Sequence, residues 1–145
     1  MSKVSNLFTA GQKESIVAAV RSAEQGTSAE IRVHIENRCK DDVMDRAVDV
    51  FSKLGMNRTA QCNGILIYLA VKDHKAAIIG DVNVNRYVRH DFWLECYAAM
   101  KRHFADEDFS GGLCAAIVMI EKELASHFPH RSDDVNEQPD DISFG

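Results

Sequence analysis

The chain has 145 residues, a length that fits one domain with a core of its own. Hydrophobic residues make up 46% and charged residues 27%, which excludes a disordered or fibrous chain. The net charge is −5, which argues against a general nucleic-acid binder, and no apolar run approaches the roughly 18 residues of a membrane span. Met1 to Asn6 lacks the apolar stretch of a signal peptide, so the expectation is a cytoplasmic monomer without membrane insertion. Cysteines at 39, 62, 96 and 114 lack CxxC spacing and are expected to be reduced and partly buried.

Thr9 reads as a helix N-cap, with Gln12 as the reciprocal partner of a capping box. Ile16, Val17, Val20 and Ala23 then fall on one stripe, and Gly26 stops the helix. Glu30 to Glu36 alternates polar and apolar, the pattern of a strand with one buried face. Asp41 or Asp42 caps a second helix with the stripe Met44, Ala47, Val48, Phe51 and Leu54, closed by Gly55. Ile65 to Val71 is almost wholly apolar and predicts a central strand covered on both faces. Lys72 to Lys75 makes a tight reversal, and Ala76 to Ile79 returns antiparallel, ending at Gly80 and Asp81. Asp91 caps a third helix with the stripe Phe92, Trp93, Cys96, Met100 and Phe104. From Ser110, the residues Leu113, Ile117, Ile120 and Leu124 mark a fourth helix that stops before Pro129.

Strand, helix, strand implies a parallel pair joined by a right-handed crossover, and the hairpin adds an antiparallel neighbour. The expected fold is therefore α/β, a three-layer α/β/α sandwich on a central mixed sheet. Residues 1–128 form the domain. Residues 129–145 hold Asp133, Asp134, Glu137, Asp140 and Asp141 against Arg131 alone, so most of the net charge lies in an acidic, extended C-terminal tail.

Two segments carry oxygen ligands at alternate positions. Asp106, Asp108 and Ser110, followed by Gly111, reproduce the opening half of a calcium loop, in which alternate residues of a tight turn aim oxygens at one hard cation. The second half is absent, because Ile117 stands where a bidentate Glu belongs. The plainer reading makes Ser110 the cap of the fourth helix, with the acids favouring its dipole. Asp81, Asn83 and Asn85 form the other alternation, directly after a strand, where loops of α/β sheets gather functional groups. It reads equally as a solvated turn or an edge strand. Glu30 and Asn63, which open the first two strands, are candidates to sit near Asp81, and read otherwise as an edge-strand acid and a turn amide. No Gly-rich phosphate loop, thiol motif or paired histidine motif is present, so no catalytic residue is assigned.

Several segments match a known pattern in order: Ala29 to Val33, Phe51 to Met56, Arg58-Thr59, Asn63 to Tyr68, Ile78 to Asp81, Gly111 to Leu113, and Asn136 to Ser143. Together they resemble the TPM domain family, which includes a thylakoid-lumen protein linked to photosystem II repair and many bacterial proteins. The resemblance implies an α/β/α sandwich with divalent-metal sites, and weak acid phosphatase activity in some members. The expected function is a divalent-cation binding module, Ca²⁺ foremost and Mg²⁺ or Mn²⁺ as alternatives, engaging a protein partner. Its ligands would come from Asp81, Asp106, Asp108, Ser110, Glu30 and Asn63. The alternative is a weak metal-dependent phosphatase, with Asp81, Asp106 and Asp108 on two metals and Arg32 or Arg86 facing phosphate.

Overall fold

A computed structural model describes residues 4–129 and 140–145 of the chain. After a 3-10 turn at Val4–Leu7, helix α1 spans Ala10–Gly26 and starts with the expected capping box. Thr9 Oγ1 accepts the Gln12 amide N–H at 3.0 Å, and Gln12 Oε1 accepts the Thr9 N–H at 2.8 Å. Strand β1 is Glu30–Glu36 and helix α2 is Val43–Lys53, capped by Asp42, whose carboxylate accepts the N–H groups of Met44 and Asp45. A second 3-10 turn, Met56–Arg58, leads into β2 at Gly64–Ala70, and β3 follows at Lys75–Gly80. Helices α3 (Val82–Tyr87), α4 (Phe92–Ala105) and α5 (Phe109–Leu124) come next, and β4 (Ser143–Phe144) ends the order.

The sheet order is β3-β2-β1-β4. β1 runs parallel to β2, with Glu30 opposite Gly64 and Glu36 opposite Ala70, while β3 is antiparallel to β2. On one face Ile31, Val33, Ile35, Ile65, Ile67 and Leu69 pack under α1, α4 and α5. On the other, Leu66, Tyr68, Ala70 and Ala77 pack under Ala47, Val50 and Phe51 of α2 and Met56. These are the three layers of the expected mixed α/β/α sandwich. Every residue of β2 is buried, as its apolar run predicts, with the strand set one residue earlier than read. Burying each of its large aliphatic side chains contributes about 1.5–3 kcal/mol.

Several local expectations change. The alternation after Gly80 is α3 rather than a turn or strand, with Val84 buried and Val82 exposed. On α2 the buried set is Ala47, Val50 and Phe51, while Met44 and Val48 of the predicted stripe lie in solvent. Strand β1 buries both faces: Glu30, His34 and Glu36, read as its solvent side, are 4%, 6% and 7% exposed. The end of the acidic tail enters the sheet, since β4 pairs parallel with β1, His34 opposite Ser143, and the Gly145 N–H donates to Ile35 O at 2.9 Å. Residues 130–139 of that tail lie outside the described residues. None of the four cysteines forms a disulfide; Cys39 and Cys96 are buried, Cys62 and Cys114 partly so.

Candidate functional site

Three of the six sequence-predicted ligands meet at one end of the sheet. The Asp81 N–H donates to Gly64 O at 2.9 Å, Glu30 stands opposite Gly64 in the β1–β2 register, and the Glu30 N–H donates to Asn63 O at 3.2 Å. One carboxylate oxygen of Asp81 caps α3, Oδ1 accepting the Val82 N–H at 2.7 Å. The other, Oδ2, is buried and has no hydrogen-bond partner among the described residues. A buried acceptor in that state costs free energy unless something supplies a donor or a positive charge. Asn63 is committed locally: its side-chain amide donates to Ser28 O at 3.0 Å. Gly64 matters here through contact, because a Cβ on it would lie 2.6 Å from the Met56 carbonyl oxygen. Only glycine lets that carbonyl come down over the strand end beside Glu30 and Asp81.

Asp106, Asp108 and Ser110 are elsewhere. They sit in the α4–α5 turn, where the Phe109 ring meets His74 edge-on at 5.5 Å. His74 immediately precedes β3 and Asp81 immediately follows it, so the strand's six residues separate the two groups by about 20 Å. Within the turn Asp108, not Ser110, is the N-cap of α5; its Oδ1 accepts the Gly111 N–H at 3.1 Å, and Ser110 lies in the helix's first turn. No group of three or more His, Cys, Asp or Glu residues is gathered to hold a metal among the described residues.

The polar cluster with the most connections was missed by the sequence reading. It lies at the other end of β1's polar face, centred on Glu36. Tyr68 OH donates to Glu36 Oε2 at 2.5 Å, and Arg46 donates to the same carboxylate from Nε at 3.2 Å and from Nη2. His34 Nε2 lies 3.1 Å from Glu36 Oε1, and His34 Nδ1 lies 2.9 Å from Ser143 Oγ on β4. Burial alone would raise the Glu36 pKa, but the donors Arg46, Tyr68 and His34 outweigh it and hold the carboxyl at about 2. Burial lowers the His34 pKa below its ordinary value, only partly offset by Glu36. Burial and the Glu36 carboxylate together push the Tyr68 hydroxyl up. The cluster is thus an ionised carboxylate, a neutral imidazole and a protonated phenol at neutral pH. Beside it opens a cavity of about 360 Å³ lined by Glu36, Asn37, Arg38, Lys40, Arg46 and Gly145. It lies at the carboxyl end of a parallel strand, where open α/β sheets place ligands. Asn37 Oδ1 is buried there and has no partner among the described residues.

A model of the TPM domain family matches residues 2–123. The chain belongs to the TPM domain family. It is similar to BA42 protein from the psychrophilic bacterium Bizionia argentinensis, with 43% identity and a TM-score of 0.91 over 100% of both chains. More distant likenesses show the fold alone. The N-terminal domain of a P. gingivalis protein has 15% identity and a TM-score of 0.72, over 88% of this chain and 82% of that one. That of the Corynebacterium glutamicum protein cg2496 has 13% identity and a TM-score of 0.64, over 94% and 80%. Among curated proteins none matches.

The family match ends at residue 123, so this TPM domain's β4 and Ser143 lie beyond it, whereas the likeness to BA42 includes them. Another acidic contact lies on the approach to β4. Glu24 Oε2 accepts the Ile31 N–H at 3.3 Å, and Asp140 forms an ion pair with Arg21 at 3.5 Å. Burial, then the hydrogen bond and charge of Asp140, push the Glu24 pKa up to about 10. Among the described residues, no helix is long and apolar enough to cross a membrane.

Proposed function

We propose that this TPM domain is a binding module for a hard divalent cation, Ca²⁺ foremost, seated at the strand-end corner of Asp81. The observation that carries the reading is Asp81 Oδ2, an acceptor buried without a partner among the described residues. Glu30 and the Met56 carbonyl supply further oxygens at the same strand ends, and oxygen ligands are what Ca²⁺ and Mg²⁺ take. Asp106, Asp108 and Ser110 stand outside this proposal, because β3 lies between them and Asp81 and because Asp108 is occupied as a cap. The same separation leaves the two-metal phosphatase scheme without support, since it needs all three aspartates in one place.

The test is a titration of Ca²⁺, and separately of Mg²⁺, followed by ¹H–¹⁵N NMR and calorimetry. Shifts are expected at residues 30, 56, 64 and 81. Asp81→Asn should abolish them and Asp108→Asn should leave them in place. Shifts confined to 106–111, or a response untouched by Asp81→Asn, would move the site or remove it.

A further inference from the structure

Ser143, His34 and Glu36 form a continuous hydrogen-bonded chain whose polarity is fixed by its far end. Glu36 receives donors from Arg46 and Tyr68 and is ionised, so towards His34 it can only accept. His34 Nε2 must therefore carry the hydrogen across the 3.1 Å contact. A buried neutral imidazole with its proton on Nε2 leaves Nδ1 as a bare lone pair. The hydroxyl of Ser143, 2.9 Å away, must then be the donor to Nδ1. That is the arrangement of an activated nucleophile: a hydroxyl on a base, and the base held by a carboxylate. The stacking of His34 on Tyr68, with ring centroids 5.9 Å apart, holds the imidazole plane. Gly145 completes the setting, because a Cβ there would lie 2.9 Å from His34 Nε2.

We propose that Ser143 is a nucleophile for acyl transfer, with His34 as its general base and Glu36 as the residue that orients the base. The substrate class is a small carboxylic ester. The adjoining cavity of about 360 Å³ meets this relay at Glu36 and Gly145 rather than at Ser143 or His34, and it is near the lower end for ligand pockets. A phosphate ester fits less well: of the cations on the cavity wall, Arg38 is paired with Asp73 and Arg46 with Glu36 and Asp49, which leaves Lys40 against Glu36 and Asp41. In the first step Ser143 Oγ bonds to the ester carbonyl carbon as its proton passes to His34 Nδ1. The ester C–O bond then breaks, and the leaving alcohol takes that proton. Water attacks the acyl-serine by the same relay, releasing the carboxylic acid and restoring the hydroxyl.

The experiment exposes the full chain to an alkyl fluorophosphonate, which loses fluoride to an activated serine, and to p-nitrophenyl acetate. Intact mass and peptide mapping locate the adduct. One adduct is expected, on Ser143; it should be absent from Ser143→Ala and unchanged in Ser22→Ala. His34→Gln should slow both reactions at least about 100-fold. The wild-type rate should be flat above neutral pH and fall on acidification as the imidazole takes up a proton. Should His34→Gln fail to fold, Ser143→Cys reports instead: the introduced thiol should alkylate faster than Cys62 at pH 7. No adduct on Ser143, a rate indifferent to His34, or a thiol in Ser143→Cys no faster than that of Cys62 would make the contact a strand fastening and overturn the proposal.

Discussion

Replacing Glu36 by Gln keeps the shape of the side chain and removes the charge that its donors are arranged around. In the folded protein the Glu36 pKa falls from 4.5 to about 2. At about 1.4 kcal/mol per tenfold, that difference corresponds to roughly 3 kcal/mol. Arg46, the main partner, keeps 28% of its side chain in solvent, so screening brings the expected figure to about 2 kcal/mol. The sign follows from the direction of the change. A carboxyl depressed on folding contributes stability above its unfolded pKa, and that contribution is lost as pH falls from 4.5 towards 2. Urea unfolding followed by circular dichroism at pH 7, 5, 4 and 3 should show Glu36→Gln less stable by about 2 kcal/mol at pH 7. The gap should close as the wild type descends its acid limb. A variant within about 0.5 kcal/mol of wild type at pH 7, or a gap no smaller at pH 3 than at pH 7, would refute the assignment of Glu36 as the charged centre of the cluster.

Glu24 behaves in the opposite sense: its pKa is raised on folding, so its contribution is full below the ordinary carboxyl pKa and declines as pH rises towards about 10. Glu24→Gln should therefore raise the melting temperature more at pH 8.5 than at pH 5; equal shifts at both would contradict a Glu24 carboxyl raised by burial and by Asp140. Gly64→Ala should destabilise by about 1–3 kcal/mol, as overpacking does, because the new methyl meets the Met56 carbonyl at 2.6 Å. A melting point unchanged in that variant would mean that the backbone there yields freely. In hydrogen exchange, the amides of β2 should be the slowest, since the strand is flanked on both sides and buried throughout; residues 65–70 exchanging faster than 31–35 would displace β2 from the centre.

Elements whose signal is local were legible from sequence: the Thr9–Gln12 box, the apolar run of β2, and the α5 stripe. The errors arose where a distant partner decides the outcome. The alternation of β1 marks two chemically different faces, but it does not tell whether the polar one meets water or Arg46, Tyr68 and Ser143, residues 10, 32 and 109 positions from their partners. Tyr68 within an apolar run, beside a strand that carries a His and a Glu two apart, was the available signal. On α2 the presence of Met44 and Val48 widened the apolar stripe, while packing against β3 chose the arc through Ala47, Val50 and Phe51. After Gly80, Asp81 caps α3, and the Asn83 and Asn85 amides donate to Gln61 O and Gly80 O, so their side chains support a helix start rather than a cation loop. Of the six candidate ligands, spacing correctly grouped Asp106 with Asp108 in one turn; no spacing rule tells that a whole strand keeps both from Asp81.

Strand β4 gives the order of synthesis a structural meaning. While the chain is made from its N-terminus, β1, β2, β3 and helices α1 to α5 exist before Ser143 does, yet β1 is the strand that Ser143 must join. Until then the outer edge of β1 offers unpaired backbone groups, and His34 lacks its hydroxyl partner. The same edge can also pair with the 143–145 segment of a second molecule, although the chain's own segment has the advantage of its tether. Crowding of nascent chains on one message therefore favours strand-exchanged pairs, and dilution favours self-closure.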